Sequence, residues 1–204
     1  MKLNLIPALA VGLLAAAPAF SADIVIDFDG PMSFDSIGEY YNGDVMNYGV
    51  SFGLDALALQ NDDLGPYFTH APSPLGVMAP VGADATMNFA TGFTAASFYY
   101  SSSAPLAVIG VYSGENGTGD LLSAFALVKN ATYHCNDSDY CNWSYASVAF
   151  NGIAKSITFG DAAGVAGFDN LTISAVPEPS EAILMGLGLA GVMLRAARRK
   201  KAGA

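Results

Sequence analysis

Between Asp23 and Ala175 no stretch of the chain repeats apolar residues at helical spacing for long enough to give a helix with one buried face. Short apolar or alternating runs recur instead, separated by Gly, Asn, Asp, Ser and Pro. This punctuation predicts an all-β domain, with strands at Ile24 to Phe28, Val50 to Leu54, Ala56 to Gln60, Thr86 to Phe89, Ala95 to Tyr100, Leu106 to Tyr112, Ser123 to Val128, Ser147 to Phe150, Lys155 to Phe159 and Phe168 to Ser174. In Ile157-Thr158-Phe159 and from Phe168 to Ile173 one face reads apolar and the other polar. Nine or ten strands at this spacing predict a β-sandwich, with a jelly roll as one form of it. Tyr112 to Leu121 holds three glycines free to take positive φ and predicts a hairpin. Asn61 to Pro80 carries four prolines, each removing a ladder donor, and predicts a surface loop.

The two ends differ from this region. Lys2, an apolar run from Leu3 to Ala17 and small residues up to Ala22 predict a secretory signal peptide over 1–22, cut by signal peptidase after Ala19, Ser21 or Ala22, with Ala22 favoured because a strand-like run begins at Ile24. Six of the eight basic residues lie in the terminal segments, so 23–175 holds two lysines against sixteen carboxylates, a net charge of −14. A surface of that sign repels phosphate backbones, which excludes nucleic acid as a partner class and leaves divalent cations and neutral polymers. Cys135 and Cys141, the two cysteines of the chain, sit six positions apart in a polar loop. In the oxidising compartment that export implies, they are expected to pair.

From Val176 onward the composition changes again. Pro177-Glu178-Pro179-Ser180-Glu181 precedes thirteen uncharged residues, Ala182 to Leu194, and then Arg195, Arg198, Arg199, Lys200 and Lys201. At about 1.5 Å per residue the apolar run is roughly 20 Å long, short of a hydrocarbon layer of roughly 30 Å. The basic cluster can snorkel and act as a membrane stop on the cytoplasmic side, leaving the acidic domain outside. Gly186, Gly188 and Gly191 make the segment a weak helix by propensity. Transient docking in the inner membrane is therefore favoured over its rival, a permanent anchor.

Val-Pro-Glu-Pro, an apolar helix and a terminal Arg/Lys cluster together resemble the PEP-CTERM sorting signal of Gram-negative bacteria. The resemblance covers 176–204 and implies recognition by an exosortase, a membrane-embedded cysteine protease or transpeptidase, with the tail removed near Pro177 to Pro179. It also implies a place in biofilm or extracellular matrix, associated with exopolysaccharide. The central region resembles the globular part common in that family through Asp27-Phe28-Asp29, Tyr40-Tyr41-Asn42-Gly43, Asn47-Tyr48-Gly49-Val50 and Phe168 to Ile173, which implies a lectin-like sandwich.

Two binding chemistries follow. Asp27 and Asp29, two apart on an expected strand, would face one side as hard oxygen donors for a structural calcium. The resemblance to jelly-roll carbohydrate modules would bring Asp169 beside them; the alternative is that these acids line an exposed edge. Tyr40, Tyr41 and Tyr48 with Asn42 supply flat rings and an amide, the combination that stacks on a pyranose and bonds its hydroxyls. Trp143 and Tyr145, beside the cysteine loop, form a second such patch, and core packing is the competing role for all these rings. No Gly-x-Ser-x-Gly or His-Glu-x-x-His occurs, and no catalytic residue is assigned: the expectation is an exported non-enzymatic surface protein, with a carbohydrate-binding module and, behind it, a secreted hydrolase as alternatives.

Overall fold

The computed structural model describes residues 23–44, 46–63 and 66–176, together with Gly188, Gly191 and Val192, which are helical. Ser21–Val176 forms one compact unit. It contains ten strands: β1 (Asp23–Ile26), β2 (Val50–Phe52), β3 (Ala56–Gln60), β4 (Gly76–Pro80), β5 (Thr86–Ser102), β6 (Val108–Tyr112), β7 (Leu121–Ala126), β8 (Ser144–Val148), β9 (Ala154–Thr158) and β10 (Ala166–Ala175). A 3-10 turn at Gly160–Ala162 leads into β10. All pairings are antiparallel, in the order β3-β4-β10-β5-β9-β6-β7, with β1 on β10 and both β2 and β8 on β5. The all-β expectation and the β6–β7 hairpin hold.

Strand β5 organises the sheet. Its first half pairs with β2 (Val50↔Phe89) and β9 (Thr86↔Thr158), and its second half with β10 (Ala96↔Ile173) and β8 (Ala96↔Val148). Between the halves stands Gly92 at φ +87°, where an added Cβ would come 2.4 Å from Ile153 Cγ2. Two separate strands were expected here; a glycine that can take left-handed φ lets one strand bend through the region without ending. The bend brings the inner faces together. Phe98 on the second half of β5 meets Phe125 of β7 at 5.9 Å between ring centroids, Phe168 of β10 at 5.5 Å and Phe159 at 6.2 Å. Phe93, Phe98, Phe159, Phe168, Met78, Met87, Ile109 and Ile157 are fully buried around this cluster.

Other departures have equally local causes. β1 stops at Ile26 because Phe28 takes φ +59°, so Asp27 and Asp29 do not share a strand face. The segment expected as loop up to Pro80 yields strand β4, which lies between β3 and β10. Pro80 closes that strand opposite Ala56, and the remaining prolines, 66, 72 and 74, lie in the loop before it. In β10 both Phe168 and its neighbour Asp169 are buried, since Asn170 at φ +45° shifts the register against β5 between Asp169 and Thr172. The outer edge of β3 is covered by 34–37: the Phe34 and Ile37 N–H groups donate to Ala58 and Ala56, and Ala58 N–H to Asp35.

The expected signal peptide, the Pro177-Glu178-Pro179 motif and the Arg195 to Lys201 cluster lie outside the described residues, as does most of the apolar run. Among the described residues no helix is long and apolar enough to cross a membrane.

Candidate functional site

The loop between β7 and β8 is held from below before it can present anything. Buried Asn130 accepts from the Ser102 N–H through Oδ1 (2.6 Å) and donates through Nδ2 to the Tyr100 carbonyl (3.1 Å) and Ser144 Oγ (2.8 Å). The N–H groups of Cys141 and Asn142 both donate to the Ala131 carbonyl. Cys135 and Cys141 are disulfide-bonded, as expected, and close the tip. The proline-rich loop is stitched to this tip: Thr69 N–H donates to the Tyr140 carbonyl (3.0 Å), Trp143 Nε1 to the Thr69 carbonyl (3.0 Å), and the His70 ring bonds the Cys141 carbonyl at 3.2 Å. His70 Nε2 stands 3.5 Å from Asp137 Oδ2, both side chains largely in solvent.

Between the two loops opens a cleft of about 450 Å³ whose walls include His70, Pro72, Tyr99, Tyr133, His134 and Trp143. Its volume lies in the range of small-molecule sites. Tyr133 is 65 % exposed and its ring lies 3.9 Å from that of His134. Tyr99 faces Tyr145, its partner across β5 and β8, at 5.3 Å, and Tyr145 is 60 % exposed. Past Tyr145 the same sheet surface continues as a shallow hollow walled by Ser97, Ser147, Thr172, Ser174 and Asp23. Rings that show a face and hydroxyls that donate and accept thus alternate along one surface. Of the residues singled out in the sequence, Trp143 and Tyr145 belong to it. Tyr99, Tyr133 and the two histidines were missed, because strand alternation says which residues share a face but not which loop will stand over it.

In the other expected carbohydrate patch one ring is core, while Tyr40 is half-buried and Asn42 and Tyr48 are exposed. Tyr41 is 1 % exposed, packed edge-on to Phe28 and Phe52, so it is corrected from ligand contact to interior residue. Its hydroxyl is buried without a hydrogen-bond partner, and burial raises its pKa above the ordinary phenol range. Tyr48 stacks on Tyr41 at 6.1 Å, Tyr40 lies half-buried over Gly30, and exposed Asn42 donates to Glu39 Oε2 (2.8 Å).

The three aspartates form a latch for the turn before β4. Asp29 Oδ1 accepts from the Leu75 (3.0 Å) and Gly76 (2.7 Å) N–H groups. Fully buried Asp169 accepts from Ser73 N–H at Oδ2 (2.7 Å), and from Ser73 Oγ (2.8 Å) and Asn170 N–H (2.6 Å) at Oδ1. Asp27 Oδ1 accepts from the Asp29 N–H. Burial pushes the Asp169 carboxyl up to about 6, against the lowering effect of the Ser73 and Asn170 bonds and with a further upward push from Asp29. Among the described residues no group of three or more His, Cys, Asp or Glu is placed to hold a metal ion. With Asp29 and Asp169 turned to main-chain donors, the trio does not fit the calcium that the resemblance implied.

Residues 175–200 match the family model of the PEP-CTERM protein-sorting motif. The chain carries a PEP-CTERM sorting signal. No curated protein matches the chain. Among solved structures it is similar to a family 6 carbohydrate-binding module studied by sub-site dissection (14% identity, 78% of this chain and 95% of that one, TM-score 0.38). It is also similar to a Clostridium stercorarium module in complex with cellobiose (16% identity, 60% and 95%, TM-score 0.34) and to the family 11 carbohydrate-binding module of a cellulosomal cellulase of Clostridium thermocellum (14% identity, 78% and 98%, TM-score 0.34). At such TM-scores the backbones coincide only in part, and neither ligand nor site transfers to this chain.

Proposed function

We propose that the protein is exported, docked transiently in the inner membrane by its tail, processed by an exosortase and left at the cell surface, where its lectin-like β-sandwich binds exopolysaccharide without catalysing a reaction on it. The sorting part is supported by the PEP-CTERM match at 175–200. The binding part is carried by one observation, the exposed aromatic and hydroxyl surface running from Ser147 and Thr172 through Tyr145 and Tyr99 into the cleft beside the disulfide loop. With two lysines against sixteen carboxylates in the domain, the fitting polymer is neutral rather than polyanionic.

For binding, residues 23–176, which contain all ten strands and the disulfide, are screened on a polysaccharide array. A neutral glycan is expected to be retained, and Tyr145→Ala and Tyr133→Ala each to weaken it by about tenfold with an unchanged melting midpoint. Retention of no glycan, or of a glycan with both variants unaffected, would reject the surface. For sorting, mass spectrometry of the surface-exposed population from native cells is expected to find a C-terminus near Pro177 to Pro179. Finding the Arg195 to Lys201 cluster still attached there would rule out removal of the tail.

A further inference from the structure

Away from its turn the β6–β7 hairpin exposes an outer face without polar side chains, while nearer the turn the same face carries Tyr112, whose ring lies over Gly110. Ile109 and Val111 point into the core and so do Phe125 and Leu127, so alternation turns Leu106, Val108, Ala124, Ala126 and Val128 outward. None of these five has a polar side chain. Leu106 is 75 %, Val128 64 % and Val108 38 % exposed, and they are neighbours: Val108 pairs with Ala126, and the Leu106 N–H donates to the Leu127 carbonyl (3.0 Å). Leu106 is held in this position at φ +74°, a conformation unfavourable for a leucine. A solvent-facing hairpin ordinarily alternates with polar residues here, and a contiguous apolar face marks a contact surface.

The same hairpin ends in an open edge. Among the described residues β7 pairs with β6 alone, whereas the opposite end of the sheet, β3, is covered by 34–37. The Leu127 N–H and carbonyl are both turned to the β6 side, bonded to Ala107 and Leu106. Alternation therefore directs the N–H and C=O groups of Ala124 and Ala126 away from β6, toward the open edge. From Leu121 to Val128 the chain has no charge and no proline, and its two ends carry opposite charges, Asp120 and Lys129.

We infer that this edge and face are where a second copy of the chain docks, β7 against β7 in antiparallel sense about a two-fold axis. The arrangement is self-complementary. Each copy's Lys129 is carried to the Asp120 end of the other, and the outward donors and acceptors of one Ala124–Ala126 segment meet those of its twin. One rim carboxylate, Asp161, is already engaged by the Val108 N–H (2.7 Å). Elsewhere two domains of charge −14 repel, so the uncharged edge from Leu121 to Val128 is the place where they can approach, and the contact should tighten as salt screens the rest.

Sedimentation equilibrium of 23–176 at about 100 μM protein is expected to give twice the monomer mass in about 0.3 M salt and a smaller dimer fraction in about 0.03 M salt. A monomer at both salt concentrations would overturn the inference. Ala126→Lys places a charge on the outward edge and is expected to weaken the dimer by about tenfold or more with an unchanged melting midpoint, although it lowers the net repulsion between copies. Leu54→Lys, at a position 74 % exposed outside the hairpin, adds the same charge and is expected to leave the dimer intact. A dimer indifferent to Ala126→Lys, or lost equally with Leu54→Lys, would place the contact elsewhere. Neither result bears on glycan retention, so this inference and the binding proposal fail separately.

Discussion

Asp169→Ala is expected to lower stability by roughly 2–4 kcal/mol at pH 7, moving the thermal midpoint down by roughly 5–15 °C. The side chain is fully buried and takes three hydrogen bonds. Losing it strands the Ser73 and Asn170 N–H groups, whereas the Ser73 hydroxyl keeps its bond to the Asp27 carbonyl (2.7 Å). Two unsatisfied N–H groups, one buried and one partly buried, set the estimate, reduced by the relief of no longer burying a carboxylate. The pH dependence has a definite sign. With the folded pKa raised to about 6, the folded state binds more protons than the unfolded state between the ordinary aspartate value and 6. Asp169 therefore contributes more stability as pH falls through that window, and the gap between wild type and Asp169→Ala should widen from pH 7 toward about 4.5. Calorimetry over that range is the check; a gap that narrows would mean that the carboxyl is better solvated than its burial indicates.

Phe98→Ala is expected to cost roughly 3–5 kcal/mol, because it empties the point where the two halves of the sheet meet. Its ring is fully buried against Phe125, Phe159, Phe168 and Tyr100, with centroids 5.5 to 6.3 Å away in edge-on geometry. Phe34→Ala is the internal comparison: at 55 % exposure and with one ring partner, Tyr67, it should cost about 1 kcal/mol or less. Urea unfolding of both variants decides, and equal losses would show that the cluster does not hold the halves together.

Strand content and the hairpin could be read from alternation and turn residues, and the disulfide from compartment and spacing. The bulge in β10 was missed, because Phe168 to Ile173 reads at first as one apolar and one polar face. Phe168 and Leu171, three apart, cannot lie on one face of an unbroken strand, and Asn170 in a left-handed conformation supplies the irregularity that buries both. What alternation could not carry was the third dimension. Nothing local in Thr86 to Ser102 says that Gly92 bends a strand rather than ending it, since glycine serves both purposes. Nothing in Asn130 distinguishes a buried clamp with three side-chain bonds from one more polar loop residue. For the same reason the candidate site was half legible: Trp143 was visible as a ring next to the cysteines, but the partners that complete its cleft come from β5 and from a loop some seventy residues earlier. Tyr41, adjacent to Tyr40 in sequence, shows the converse, because two neighbouring rings in a turn took opposite sides of the surface.

β10 ends at Ala175, and the Val176 N–H still bonds the Gly92 carbonyl (2.9 Å) before the sorting tail begins. Any pull delivered through that tail enters the domain along β10, which is flanked by β5 on one side and by β1 and β4 on the other. Force along a strand held on both sides loads its hydrogen bonds together, in shear, instead of peeling them one after another. The sorting tail thus joins the domain through a strand held on both sides, which is well placed to resist tension.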